Sequence, residues 1–187
     1  MPRRSQILAL TCGLLLVATS SSWGGDDAAP VARAAVVTST GVKTLQQSRF
    51  DGEDGVHMVY LSDSADPELN WRQVQPGETR LMLLLHMKVE PGTLTLTEIT
   101  GEQLTAMFNM GRELPAQRVT AILFENTSAE PVSVKALFKE AMSGKHLARG
   151  GTVQLLGAEF KRRLSADFAL LFEGGQAAGR VRFDSRR

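Results

Sequence analysis

The chain has 187 residues, with 21 Lys and Arg against 20 Asp and Glu, three His and one Cys. So balanced a charge, with no basic stripe interleaved with aromatics, argues against a nucleic-acid binder. A single cysteine rules out an intrachain disulfide framework, and the length suits one domain with one core.

The chain begins like an export signal. Arg3 and Arg4 supply the positive start, Ile7–Val17 the apolar centre, and Ala18-Thr19-Ser20 small residues ahead of a cut after Ser20, with Ser22 and Gly24 as close alternatives. The apolar run is shorter than the roughly 20 residues that span a bilayer. Cys12 lies in the middle of that run, which does not suit lipidation. The expected organisation is therefore a cleaved signal over 1–22, a linker or first strand over 23–45, and a single β-sandwich domain over 46–187. Cleavage removes Cys12, and with it disulfides, thiol nucleophiles and Cys-based metal sites. It leaves 19 basic against 20 acidic residues and no membrane span in the mature form. The expected location is the periplasm or the extracellular space.

Gly24–Pro30 reads as a linker and Ala34–Thr38 as a candidate first strand. Gln46–Gly55, with its string DGEDG, reads as a loop. Val56–Leu61 is a strand closed by the turn formers Ser62-Asp63-Ser64 and Asp66-Pro67. Trp71–Val74 is a short strand before Pro76-Gly77. Arg80–Val89 is the longest apolar strand, with Leu81, Leu83 and Leu85 on one face and Met82, Leu84 and His86 on the other, which predicts a central strand covered on both sides. Thr93–Thr100 alternates threonine with leucine. Thr100 and Gln103 have capping-box spacing, and Leu104, Met107 and Phe108 share a helical face, which predicts a short helix over Glu102–Met110.

Val119–Glu125 is again a strand, followed by a turn over Asn126–Pro131. The next segment fits two patterns. Val132, Val134, Ala136 and Phe138 alternate, while Val134, Leu137, Phe138, Ala141 and Met142 form a helical face. Pro131 and the preceding turn favour a strand over Val132–Phe138. Strands are also expected over Val153–Phe160, Leu164–Glu173 and Arg180–Asp184, the last with Arg180 and Arg182 guarding a sheet edge. Short strands at regular spacing, without βαβ alternation, predict a mainly β fold. Its form is an antiparallel β-sandwich or barrel, immunoglobulin-like or cupredoxin-like, with one short helix.

Chemistry-bearing patterns are sparse. There is no Gly-x-Ser-x-Gly turn, Ser-x-x-Lys or His-Glu-x-x-His, so a small hydrolase or lyase requires a pocket that gathers a His with a carboxylate. Asn126-Thr127-Ser128 matches a glycosylation acceptor in form. His57-Met58 and His86-Met87, with Met82 four residues before His86, offer imidazole and thioether ligands suited to copper. Adjacent strand residues point to opposite faces, and Met82 and His86 lie about 13 Å apart along a strand, so the pairs do not chelate as units. The stretch TVQLLGAEFKRRLSADFALLFEGG, Thr152 to Gly175, resembles periplasmic cupredoxin-like copper chaperones in its strand–turn cadence. Those proteins carry a His-x-Met pair on the strand that here reads Val153-Gln154-Leu155, so the likeness lies in the strands and not in the ligands.

The sequence thus predicts an exported, non-catalytic binding or assembly module of the bacterial periplasm or cell envelope, without a cofactor and with an envelope protein as its partner. Trp71 and Arg72 are the contact candidates, because Trp and Arg dominate binding hot spots. The alternative is a periplasmic copper-binding or copper-delivery protein that uses His57, Met58, Met82, His86 and Met87.

Overall fold

The computed structural model describes residues 31–184 except 39, 54, 67, 109–117, 160 and 161. The signal expected over 1–22 and the linker over Gly24–Pro30 lie outside the described residues, as does the end of the helix expected to reach Met110. The chain forms β1 (Val31–Thr38), β2 (Gly41–Leu45), β3 (Gln47–Glu53), β4 (Val56–Ser62), β5 (Gln73–Val74), β6 (Thr79–His86), β7 (Gly92–Thr97), α1 (Gly101–Met107) and β8 (Val119–Glu125). It continues with β9 (Val132–Ser133), α2 (Val134–Met142), β10 (Gly150–Glu159), β11 (Arg163–Phe172) and β12 (Gly175–Asp184).

Two antiparallel sheets face each other, one in the order β2-β1-β12-β11-β10-β7 and the other β3-β4-β6-β8, with β5 and β9 as a small separate pair. The mainly β expectation holds in its sandwich form. β1 and β2 belong to the six-stranded sheet, so Val31–Thr38 and Gly41–Leu45 are strands of the domain and not a linker. Gln46–Gly55 is not a loop: β3 pairs with β4 from Gln47↔Ser62 to Glu53↔Val56. The acidic string hid a strand whose Phe50 packs inward beside Val59.

β6 lies between β4 and β8, and all eight of its residues are buried. Its odd positions, Leu81, Leu83 and Leu85, meet Ala34, Val36, Val153 and Phe168 of the six-stranded sheet in one core cluster. Its even positions, Met82 and Leu84, meet Leu104, Met107, Leu137 and Ala141 of the two helices in a second. The molecule therefore has three layers: helices, four-stranded sheet, six-stranded sheet.

Two helices, rather than the one expected, supply the outer cover. α1 carries the foreseen capping box between Thr100 and Gln103. α2 replaces the strand expected over Val132–Phe138, of which only Val132–Ser133 is extended. The Ser133 side chain caps α2 by accepting from Ala136 N. The buried Val134, Leu137 and Ala141 then close the second cluster. A fully buried leucine such as Leu137 contributes about 1.5–3 kcal/mol relative to an exposed one, and a strand here would leave the even face of β6 wet. Gly101 lets α1 start against the end of α2, because a Cβ there would overlap the Met142 carbonyl.

The final strand is also placed differently from expectation. β12 is interior, between β1 and β11. Arg180 is not an edge guard but donates through Nε and Nη2 to both carboxylate oxygens of Asp167 on β11, at 2.6 and 2.8 Å. Asn126 is 1% exposed. Its amide donates to the Val74 and Glu130 carbonyls and its oxygen accepts from Ser128, so the glycosylation acceptor is occupied by the fold.

At the start of β6 a guanidinium is fully buried. Arg80 donates to Glu78 Oε1 and to the Trp71 carbonyl, and lies 5.1 Å from the centre of the Trp71 ring. The Glu78 carboxylate also accepts from Ser62 Oγ and Gln75 N. Removing one member strands a charge in a dry site. Arg80→Ala is therefore expected to cost about 3–5 kcal/mol in equilibrium urea unfolding. The double change Arg80→Met with Glu78→Gln should cost less than Arg80→Ala alone; an equal or larger loss would contradict this account.

Candidate functional site

The pleat separates the two histidines proposed as copper ligands. His57 sits opposite Leu85 and shares the inner face of β4 with Val59 and Leu61. Its ring stacks 5.8 Å from Phe50, which stacks in turn on Phe183 at 5.4 Å. His86 is paired with Val56 and points to the helix side, with Leu84 and Met82. Met58 is also on that side, opposite Leu84 and thus diagonal to both His86 and Met82, and its sulfur accepts from the Tyr60 hydroxyl at 3.4 Å. Met87 lies in the turn after β6, where its N–H donates to the Gly55 carbonyl.

His86 Nδ1 accepts from the Lys88 N–H at 3.3 Å, which places the neutral ring's proton on Nε2. That nitrogen is buried and has no hydrogen-bond acceptor among the described residues. Coordination through Nε2 requires the proton to move to Nδ1 and the Lys88 contact to break. Among the described residues no three His, Cys, Asp or Glu side chains converge as a metal site. Of the five expected ligands, the structure brings Met58, Met82 and His86 to one face and leaves His57 on the other.

Trp71 and Arg72 also part company. Trp71 is half-buried between Arg80 and Tyr60, whose ring centre is 6.2 Å away, and so closes one end of the helix-side core. Arg72 is exposed, and its carbonyl accepts from Val134 N.

A cleft of about 330 Å³ opens where the β1–β2 turn, the β11–β12 hairpin and the α2–β10 connection meet, lined by Thr38, Leu123, Glu125, His146, Arg149 and Phe172 among others. Its charges are paired, either within the lining or with Lys43 and Glu140 just outside it. Arg149 reaches Glu173 at 2.8 Å and Glu98 at 4.0 Å. Glu125 accepts from Lys43 at 2.8 Å and from Thr40 Oγ1 at 2.6 Å, and the Lys43 hydrogen bond is the main cause that holds its carboxyl below the usual range. Burial opposes the Lys43 charge, but Glu125 and Asp63 more than offset it and its pKa is raised. His146, at φ 62°, sets Nε2 3.0 Å from Glu140. This is the His–carboxylate pair a small hydrolase requires, but among the described residues no serine or threonine hydroxyl hydrogen-bonds to the imidazole or the carboxylate, and the Ser143 hydroxyl donates instead to the Glu140 backbone carbonyl.

The other notable surface is the outer face of the six-stranded sheet, which no element covers among the described residues. One row of cross-strand neighbours runs Thr44–Ala35–Ala178–Ala169–Thr152–Thr95 over all six strands. Beside it on the cleft side runs Val42–Val37–Gln176–Leu171–Gly150–Thr97, and on the other side Arg33–Arg180–Asp167–Gln154–Thr93. Among the described residues five large apolar side chains are exposed, and four lie on this face: Val42 at 72%, Leu171 at 55%, Leu156 at 50% and Val37 at 38%. The sequence reading missed this face. Its signal is the doublets Val36-Val37, Leu155-Leu156 and Leu170-Leu171, where a strand with one buried face should alternate.

No family model matches the chain, and neither a curated protein nor a solved structure is found to be similar to it.

Burial lowers the His57 pKa to about 4, and charge repulsion between the two imidazoles when both are protonated adds to the effect. The unfolded chain binds this proton near pH 6.5 and the folded chain only near pH 4, so stability falls as pH drops through that window. The loss from His57 alone is on the order of 3 kcal/mol. His57→Phe, which keeps the ring stack, should flatten the unfolding free energy between pH 6.5 and 4 relative to the parent; an unchanged pH slope would refute this assignment.

Proposed function

We propose that the protein is an exported, non-catalytic binding or assembly module of the bacterial periplasm or cell envelope, and that it binds through the outer face of its six-stranded sheet. The observation that carries this reading is the concentration of exposed apolar side chains on that face, next to a row of three alanines. Scattered surface apolar residues need no explanation; here Val42, Val37 and Leu171 share one cross-strand row, broken by Gln176, beside Ala35, Ala178 and Ala169 in the next. The opposite side of the molecule is closed by α1 and α2. The paired charges of the cleft support a structural role for its side chains in preference to a catalytic one.

The export part rests on the first 22 residues. In the native host the protein should appear in the envelope or periplasmic fraction with a chain beginning at Ser21, Trp23 or Gly25; an intact Met1 in the cytosol would overturn it. For the binding part, a photoreactive residue at Thr95 or Ala169 should give discrete adducts in cells, and one at the exposed Lys139 of α2 should not. Adducts from Lys139 alone, or from none of the three, would sink the reading.

A further inference from the structure

The occupant of the outer sheet face can be read from its charge order. We propose that a second copy of this chain docks there face to face, about a two-fold axis parallel to the strands between β12 and β11; this rests on the assignment of that face as the binding surface.

A face-to-face contact between identical faces must be self-complementary, because each residue that touches a position on the partner is touched back by it. An axis along the strands reverses the strand order and keeps the rows. It lays β12 on the partner's β11, β1 on its β10 and β2 on its β7. The charged row, read from β1 to β7, is Arg33, Arg180, Asp167, Gln154, Thr93: two cations, one anion, two neutral residues. Reversed upon itself, this row sets each Arg180 on the partner's Asp167 and each Arg33 on the partner's Gln154. Arg180 and Asp167 already pair within one chain, and their side chains remain 42% and 36% exposed. Both therefore keep capacity for a second partner, and the four groups alternate in sign around the axis.

The same operation lays Ala178 on the partner's Ala169 at the axis. Both are exposed, outward-facing alanines, so the backbones can approach closely there without a side chain to displace. In the apolar row, Leu171 meets the aliphatic part of the partner's Gln176, and Val37 and Val42 meet its Gly150 and Thr97. An axis perpendicular to the strands is less suitable, because it sets Leu171 on Asp167 and Val37 on Arg33. The three rows hold six, six and five residues, and Leu156 and Arg182 flank them. That approaches the ~20–30 residues a side of a standard stable interface. Two sheets stacked this way follow the aligned packing of sandwich sheets.

The test uses the mature chain. By light scattering after gel filtration it should have twice its chain mass at about 100 µM, well above the ~1 µM dissociation constant of a modest complex. Ala169→Arg, on an exposed site at the axis, should halve that mass with an unchanged circular-dichroism melt. The chain beyond the signal has no cysteine, so mixed Ala169→Cys and Ala178→Cys proteins should form a disulfide-linked dimer on mild oxidation, whereas Thr44→Cys alone should not. A monomer at that concentration, or a dimer indifferent to Ala169→Arg, overturns the proposal. If in-cell adducts at Ala169 contain only another envelope protein while the purified chain stays monomeric, self-association is wrong and the binding face stands. If neither adducts nor a dimer form, both fall.

Discussion

The architecture depends on sheet strands that are apolar on both faces. Each of the eight residues of β6 is buried, and β4 beside it is buried from Val56 to Ser62. A sheet of this kind cannot leave either face to water, since each exposed leucine or methionine would forfeit about 1.5–3 kcal/mol. One face takes the six-stranded sheet and the other takes the helices. Among the described residues the six-stranded sheet is then an end layer, covered on one side only, and its uncovered side is what remains for contact with something else.

The same dryness sets the terms for polar groups. At the start of β6 and the end of β8, Arg80, Glu78, Ser62 and Asn126 are buried, and each is matched by a hydrogen-bonding partner. An unmatched buried donor or acceptor costs about 1–3 kcal/mol, and a charge costs more. Lys43 works at the boundary between the sheets. It reaches from β2 to Thr79, Asp63 and Glu125, and so ties the edge of one layer to the ends of strands in the other. His57 and His86 follow the other course open to titratable groups in a dry interior, with pKa values displaced downward so that the neutral ring is favoured.

Much of this order was legible in the chain. Apolar runs bounded by turn residues located β4 and β6, period-two alternation located β7 and β11, and the Thr100–Gln103 spacing marked the start of α1. What failed did so for identifiable reasons. α2 was read as a strand because, with both periods present, Pro131 and the preceding turn favoured a hairpin, and a local signal does not reveal that the even face of β6 requires a helical cover. β3 was read as a loop because DGEDG dominates the segment and Phe50 is the hydrophobic side chain it packs against the core cluster. The copper expectation assembled His57 and His86 by type, and their pairing register, one residue out of phase, set them on opposite faces. The edge role given to Arg180 presupposed strand order, which is fixed by β1 returning to lie against β12 across the length of the chain.

That closure decides how the molecule can assemble. Addition of a foreign strand needs a long exposed edge. The edges of the six-stranded sheet are β2, with five residues, and β7, with six. In the other sheet β8 is overlaid by the segment around Leu147, where Leu123 N donates to the His146 carbonyl and Ala148 N to that of Ala121. By contrast, the outer face is broad, and its middle row has alanines where solvent-facing strands ordinarily carry charged or long polar side chains. Alanine there gains nothing from water and presents nothing to a small ligand, but it admits another flat surface. A face built this way is suited to packing against a layer, whereas the edges open to strand addition are β2, β7 and the seven-residue β3.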